Sequence, residues 1–342
     1  MAKSKPIPFK RLVAALLNDQ EPFLPRFLHR FSDLSSEDSQ SLAQAWPKIT
    51  LQRRISLMED LEELNQADDL LSFEEVCQLA IKDPNPLVRL SAVKILHEYE
   101  LTQFIPNFIQ IAQQDPDVHV RAAAAAALGA FIYLGEVDKL HSSRLQRVEE
   151  ALLVILHGQD ESQVRQRALE SLGFSSRAEM LPAIELAYTD PNPEWLIAAL
   201  NAMGRSADRK WKSKVAAMLD HPHPLVRAEA ASAAGELEIK TAVPRLLKML
   251  HDTDLDVRMA AIWALSQLGG KGVRKALEKR LESTDDEDET SLLENALDNL
   301  DFTDDLGTIS LLNISETGEE DEEFLTDDGL DDQDDDEGDP LT

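Results

Sequence analysis

Along most of the chain, apolar residues recur three and four positions apart and short polar turns interrupt them, which is the spacing of an amphipathic helix. In the segment 255–268, Val257, Ala261, Ala264, Leu265 and Leu268 all fall on one helical face. Just upstream, AVPRLLKMLH at 242–251 reads as a second helix, so two helices flank one turn. Nowhere do β-branched and polar residues alternate with the period of a strand. The pattern predicts an all-α protein.

The pattern also repeats. DPNPLVRLSAVKIL at 83–96 returns as DPDVHVRAAAAAALG at 115–129 and DESQVRQRALESLG at 160–173. It comes back as DPNPEWLIAALNAMG at 190–204, HPHPLVRAEAASAAG at 221–235 and DTDLDVRMAAIWALS at 252–266. One column of these units holds Arg89, Arg121, Arg165, Leu196, Arg227 and Arg258, at spacings of 32, 44, 31, 31 and 31. A second column, Gly129, Gly173, Gly204 and Gly235, keeps the same 44, 31 and 31. Two columns with one period mark a solenoid of stacked units. Asn85, Asp117, Asn192 and Asp254 stand where an N-cap accepts bonds from unpaired amides, and Pro86 and Pro193 follow at the first helical position. The excess in the 44-residue step is assigned to the segment 133–144, as a longer connection and a longer next helix.

These residues resemble HEAT repeats, in the short variety of about 31 residues found in bacterial phycobilin-lyase-like proteins. The resemblance implies a right-handed α-solenoid of about seven antiparallel helix pairs over residues 72–301. Residues 1–71 are expected to cap its first apolar face with four further helices that do not follow the repeat. It further implies a structural ladder: Asp83, Asp115, Asp190 and Asp252 in the turns, with Arg89, Arg121, Arg165, Arg227 and Arg258 on the second helices, tying unit to unit. Leu196, preceded by Trp195, interrupts the Arg column in the fourth unit, where an indole can fill the gap.

Charge changes the picture at one end. The chain has 64 acidic and 34 basic residues, and 25 of the acids lie in 283–342, where there is no Lys or Arg. The remainder is nearly balanced. Such an acidic block predicts a disordered tail over 302–342, with apolar islands at Ile309–Ile314 and Phe324–Leu325. A body of slightly negative charge with this tail argues against nucleic acid, despite local clusters at Arg209, Lys210, Lys212 and Lys214 and at Lys271–Arg280. No apolar run of membrane-spanning length and no secretory leader is visible, so a cytoplasmic protein is expected.

Candidate chemistry is thin. His97–Glu98 is a single His-Glu pair, whereas the HEAT-repeat deoxyhypusine hydroxylases hold two irons with several such pairs. His221 and His223 flank Pro222 but have only Asp220 nearby, so they read as turn and N-cap residues rather than metal ligands. Cys77, the single cysteine, reads as a small core residue. Gly269–Gly272 follows a helix without phosphate-loop spacing and reads as a C-cap. The sequence therefore predicts a non-enzymatic, monomeric scaffold without cofactor or metal, binding another protein along a groove lined by the second helices. The alternatives are a factor that helps attach a linear tetrapyrrole, implied by the resemblance, and a regulator whose acidic tail occupies a basic partner.

Overall fold

A computed structural model describes residues 7–316, with side chains through 302. The helices α1 (Phe9–Leu16), α2 (Ser36–Ala45) and α3 (Leu51–Ala67) come first, with short 3-10 turns at Pro25–Phe31 and Trp46–Lys48. Seven pairs follow: α4 (Glu74–Ala80) with α5 (Pro86–Glu98), α6 (Ile105–Gln114) with α7 (Val118–Glu136), and α8 (Ser142–His157) with α9 (Ser162–Leu172). Then come α10 (Met180–Tyr188) with α11 (Pro193–Arg205), and α12 (Lys212–Met218) with α13 (Pro224–Glu236). The last two are α14 (Val243–Met249) with α15 (Leu255–Leu268) and α16 (Val273–Leu281) with α17 (Glu287–Glu316). No strand occurs among the described residues. The architecture is an α-solenoid.

Turn chemistry starts the second helices. Asn85 Oδ1 accepts from the Leu87 amide at 2.9 Å, Asn192 Oδ1 from Glu194 at 3.0 Å, and Asp117 Oδ1 from His119 and Val120. Each satisfies donors that have no partner within the helix. Pro86, Pro193 and Pro224 occupy the first helical turn. Val257, Ala261, Ala264, Leu265 and Leu268 are all buried, together with Ile262 from the same helix.

The glycine column is explained by how closely successive second helices approach. A Cβ on Gly173 would lie 2.7 Å from Ala202 Cα, and one on Gly235 would lie 2.7 Å from the Trp263 ring and 3.1 Å from Ala264 Cα. The facing residues form their own column of small side chains, Ser171, Ala202, Ala233 and Ala264, all buried. Second helices therefore make the tight inner layer and first helices the outer one, with one continuous hydrophobic core between them from Phe9 to Leu300.

The extra residues of the long step are absorbed in two helices, not in a loop. α7 runs 19 residues and α8 runs 16. By length and composition α7 passes as a membrane span, with mean hydropathy 1.5. Half of that window is nevertheless buried within the solenoid, against α5, α6 and α9, and Arg121 stands in it paired to an acid. Such a helix is apolar on most sides because neighbours cover most sides.

One expectation needs correction. The N-terminal segment holds three α-helices and two 3-10 turns instead of four helices, and α3 carries a ladder arginine described below. At the other end, backbone helix does not stop near Asp301 but continues through Glu316. Leu293, Ala296 and Leu300 anchor the first part of α17 in the core, and Glu287, Asp288 and Glu289 complement its N-terminal dipole. Once nucleated, a helix extends at little further cost. Of the expected tail, 302–316 is thus helical, and 317–342, with the Phe324–Leu325 island, lies outside the described residues.

Candidate functional site: the turn ladder and the second-helix trough

Titratable groups gather in two places. The first is the ladder. Arg89 donates two bonds of 2.7 Å to the Asp115 carboxylate of the next turn and a third, of 2.8 Å, to the Asp83 carbonyl of its own turn. Arg121 repeats this with Asp160 and the Asp115 carbonyl, Arg227 with Asp252 and the His221 carbonyl, and Arg258 with Glu289 and the Asp252 carbonyl. Each guanidinium fork thus caps its own turn and clamps the following one. Each turn Asp, in addition, accepts from the amide two residues on: Asp83 from Asn85, Asp115 from Asp117, Asp190 from Asn192 and Asp252 from Asp254.

The ladder is longer than its sequence columns. Arg54 of α3 pairs with Asp83 at 2.8 Å and donates to the Ile49 carbonyl, and the buried Trp46 indole donates to the same Asp83. Arg54 sits four residues beyond the Thr50 N-cap, just as Arg89 sits four beyond Asn85. Asp160 and Glu289 are the other two members that the columns did not single out. Asp160 was inside the quoted repeat. Glu289 is displaced into the first turn of a helix and is invisible to an Asp column.

The ladder is also broken in its middle. Arg165 does not reach Asp190; it donates to the Leu156 carbonyl at 3.0 Å and lies 5.3 Å over the Trp195 ring. Asp190 is exposed, and among the described residues its carboxylate accepts only from the Asn192 amide. Leu196 offers no charge to the next turn, and there His221 stands in the aspartate's place, its Nδ1 accepting from the His223 amide at 3.2 Å. His223 is the N-cap of α13 without a side-chain cap bond. No three His, Cys, Asp or Glu converge among the described residues as a metal ion would require. Cys77 is buried, and that burial pushes its thiol up, away from a reactive thiolate. Gly269 has φ 58° at the C-cap of α15.

The second place is a trough of about 820 Å³, lined only by the second helices α9, α11, α13 and α15. Its apolar floor includes Ile197, Leu225, Met259 and Trp263. Four carboxylates line it, Glu170, Glu194, Glu229 and Asp256, against the single guanidinium of Arg167. Asn201 Nδ2 donates to Glu229 at 3.0 Å. Burial pushes the Glu229 carboxyl up to about 7; the Asn201 bond opposes this, and Glu170 and Glu236 add to it. Burial likewise raises Glu170, against the nearby Arg167 and Arg205. A second hollow, of about 370 Å³, shares Trp263 and contains Arg205, which lies 5.0 Å over Phe174. None of the trough carboxylates was singled out by sequence: each is one Glu or Asp on a polar helix face, without a repeat column to mark it.

Residues 73–144 and 213–298 match the family described as HEAT repeats. Among curated proteins it is 31% identical over 103 residues to an uncharacterized protein in the gldA 3′ region of Geobacillus stearothermophilus. That match covers 29% of this chain and about half, 47%, of the relative's length. Among solved structures, it is similar to the CpcE–CpcF complex of phycocyanin lyase from Nostoc sp. PCC7120. There the identity is 21%, the coverage 66% of this chain and 94% of that one, and the TM-score 0.44. It is also similar to human deoxyhypusine hydroxylase in complex with glycerol, at 17% identity, 76% and 95% coverage and TM-score 0.34.

Proposed function

We propose that this HEAT-repeat solenoid is a non-enzymatic scaffold that holds another protein along the inner, second-helix face. The observation that supports the reading is the trough itself. Four consecutive second helices present a continuous open surface with apolar floor and polar walls, which is the make-up of a protein-binding patch with an apolar centre and a polar rim. A long ridged face of this kind is what stacked helix pairs offer a partner. The same charge pattern disfavours a linear tetrapyrrole as occupant, because its propionates would meet four carboxylates and one guanidinium.

The test uses full-length bait in a native lysate, with two matched substitutions of exposed leucines. Leu225→Asp alters the trough; Leu186→Asp alters the outer helix α10. Loss of the captured partner with Leu225→Asp and its retention with Leu186→Asp is the expected result. Capture that survives Leu225→Asp and is lost with Leu186→Asp places the interface on the outer face and overturns the reading.

A further inference from the structure

Resting on the scaffold reading, the trough has features that define the chemistry of its occupant. Its wall contains Gln166, only 6% exposed, whose Nε2 has no hydrogen-bond partner. A buried amide donor without an acceptor carries a desolvation cost, and an acceptor brought by a ligand relieves it. On the same surface Glu194 and Asp256 are exposed, and neither they nor Glu229, whose hydrogen-bond donor is Asn201, form an ion pair among the described residues. The one guanidinium of the trough, Arg167, is taken by Glu170, so Glu194, Glu229 and Asp256 lack an ion-pair partner while Gln166 Nε2 lacks an acceptor. Half-buried Trp263 lies along the floor and presents a surface on which a planar cation or an aliphatic stem can rest.

We infer that the α9–α15 trough seats an extended protein segment carrying an arginine or lysine. Its cationic side chain is received by Glu229, Glu194 and Asp256 beside Trp263, and a backbone carbonyl of the segment accepts from Gln166 Nε2. A simple polyamine meets the charge requirement but has no acceptor for Gln166. The acidic residues 317–342 of the chain itself are excluded as occupants by like charge. Glu229 supports the assignment: burial, Glu170 and Glu236 push its carboxyl up, Asn201 and Arg205 oppose this only in part, and a further cation seated beside it favours the ionised form. Seating the segment therefore releases protons near neutral pH.

The probe is a set of immobilised short-peptide mixtures, each with one fixed central residue, tested with the full-length protein at physiological ionic strength. Mixtures fixed as Arg or Lys are expected to bind above the one fixed as norleucine. Glu229→Gln should weaken that binding about tenfold and Gln166→Leu about fivefold, with Asp256→Asn at about two- to threefold as the exposed substitution that leaves packing untouched. The acidic tail is identical in all these proteins, so the differences report the trough. Equal binding of the Arg, Lys and norleucine mixtures, or binding indifferent to Glu229→Gln, Gln166→Leu and Asp256→Asn, overturns the inference. If instead an acidic or apolar mixture binds and Trp263→Ala abolishes it, the scaffold reading stands and the cationic occupant falls. Should no mixture distinguish wild type from Trp263→Ala, both fall.

Discussion

Carboxylates in the turn ladder and carboxylates in the trough stand on the same helix pairs yet behave oppositely. Burial by itself would raise Asp160 and Asp252, but bonds from Arg121 and Arg227 outweigh it and hold both below the ordinary carboxylate range. Glu289 is the extreme case. Fully buried, it would be raised, but Arg280, Arg258 and Thr284 bring it down to about 2. Glu229 and Glu170 are raised, because what surrounds them desolvates more than it compensates. The ladder pairs are structural, since each carboxylate meets its guanidinium within the chain. Glu194 and Asp256, exposed on the trough and without an ion pair among the described residues, are available to something else. The break in the ladder, from Arg165 to His221, falls in α9–α13, which supply three of the four helices of the trough, so the turns with the fewest clamps lie beside the unpaired acids.

The largest expected effect breaks the ladder at its most saturated point. Glu289→Ala leaves Arg258 and Arg280 without their shared acceptor and should cost about 3–5 kcal/mol by urea unfolding at neutral pH. Because the folded carboxyl lies near 2, below an ordinary glutamate, this contribution is present above about pH 4.5. It should fade as pH falls toward 2, closing the gap between the two proteins. A pH-independent gap would mean that packing, not charge, is lost. Next, Arg227→Ala removes one intact clamp and should cost about 2–3 kcal/mol. Arg165→Ala, in the gap, should cost about 1 kcal/mol, since it removes one carbonyl bond and a ring contact. Equal costs would show that the ladder is not a ladder.

In the trough the sign should reverse. The Glu229 carboxyl ionises near 7 in the fold but near 4.5 in the unfolded chain, so it lowers stability progressively as pH rises between those values. Glu229→Gln should accordingly raise stability by about 1–2 kcal/mol at about pH 8 and change little at about pH 4. Destabilisation at pH 8 would mean that Glu229 is already paired. The smallest effect is expected of Trp195→Leu, about 0.5–1 kcal/mol, which keeps an apolar filler in the gap and removes the ring beneath Arg165.

Much of this architecture was legible in the sequence. The helical period, the Asx caps and the Gly and Arg columns are local or repeat every turn of the solenoid, and each residue in them answers to its own neighbours. The Gly173–Ala202 and Gly235–Ala264 contacts follow from columns already in register. Members that stood outside a column were not legible. Arg54 lies in a unit whose other signals have eroded, and Glu289 reaches the ladder from a different position in its helix. Helix through Glu316 was hidden because composition speaks for average solvation, whereas α17 is nucleated by a specific apolar anchor at Leu293, Ala296 and Leu300.

The sequence by itself thus determined the unit, its period and its chemistry of closure, because these depend on contacts within a turn or between equivalent positions of adjacent repeats. Only the tertiary structure decided which carboxylates find a partner. Glu170, Glu229 and Asp256 come from three different helices, and their surroundings are set by how far each second helix rotates and advances past the last. Whether a charge is paired or left open depends on a distance of a few ångströms across that stack, and no local pattern encodes it.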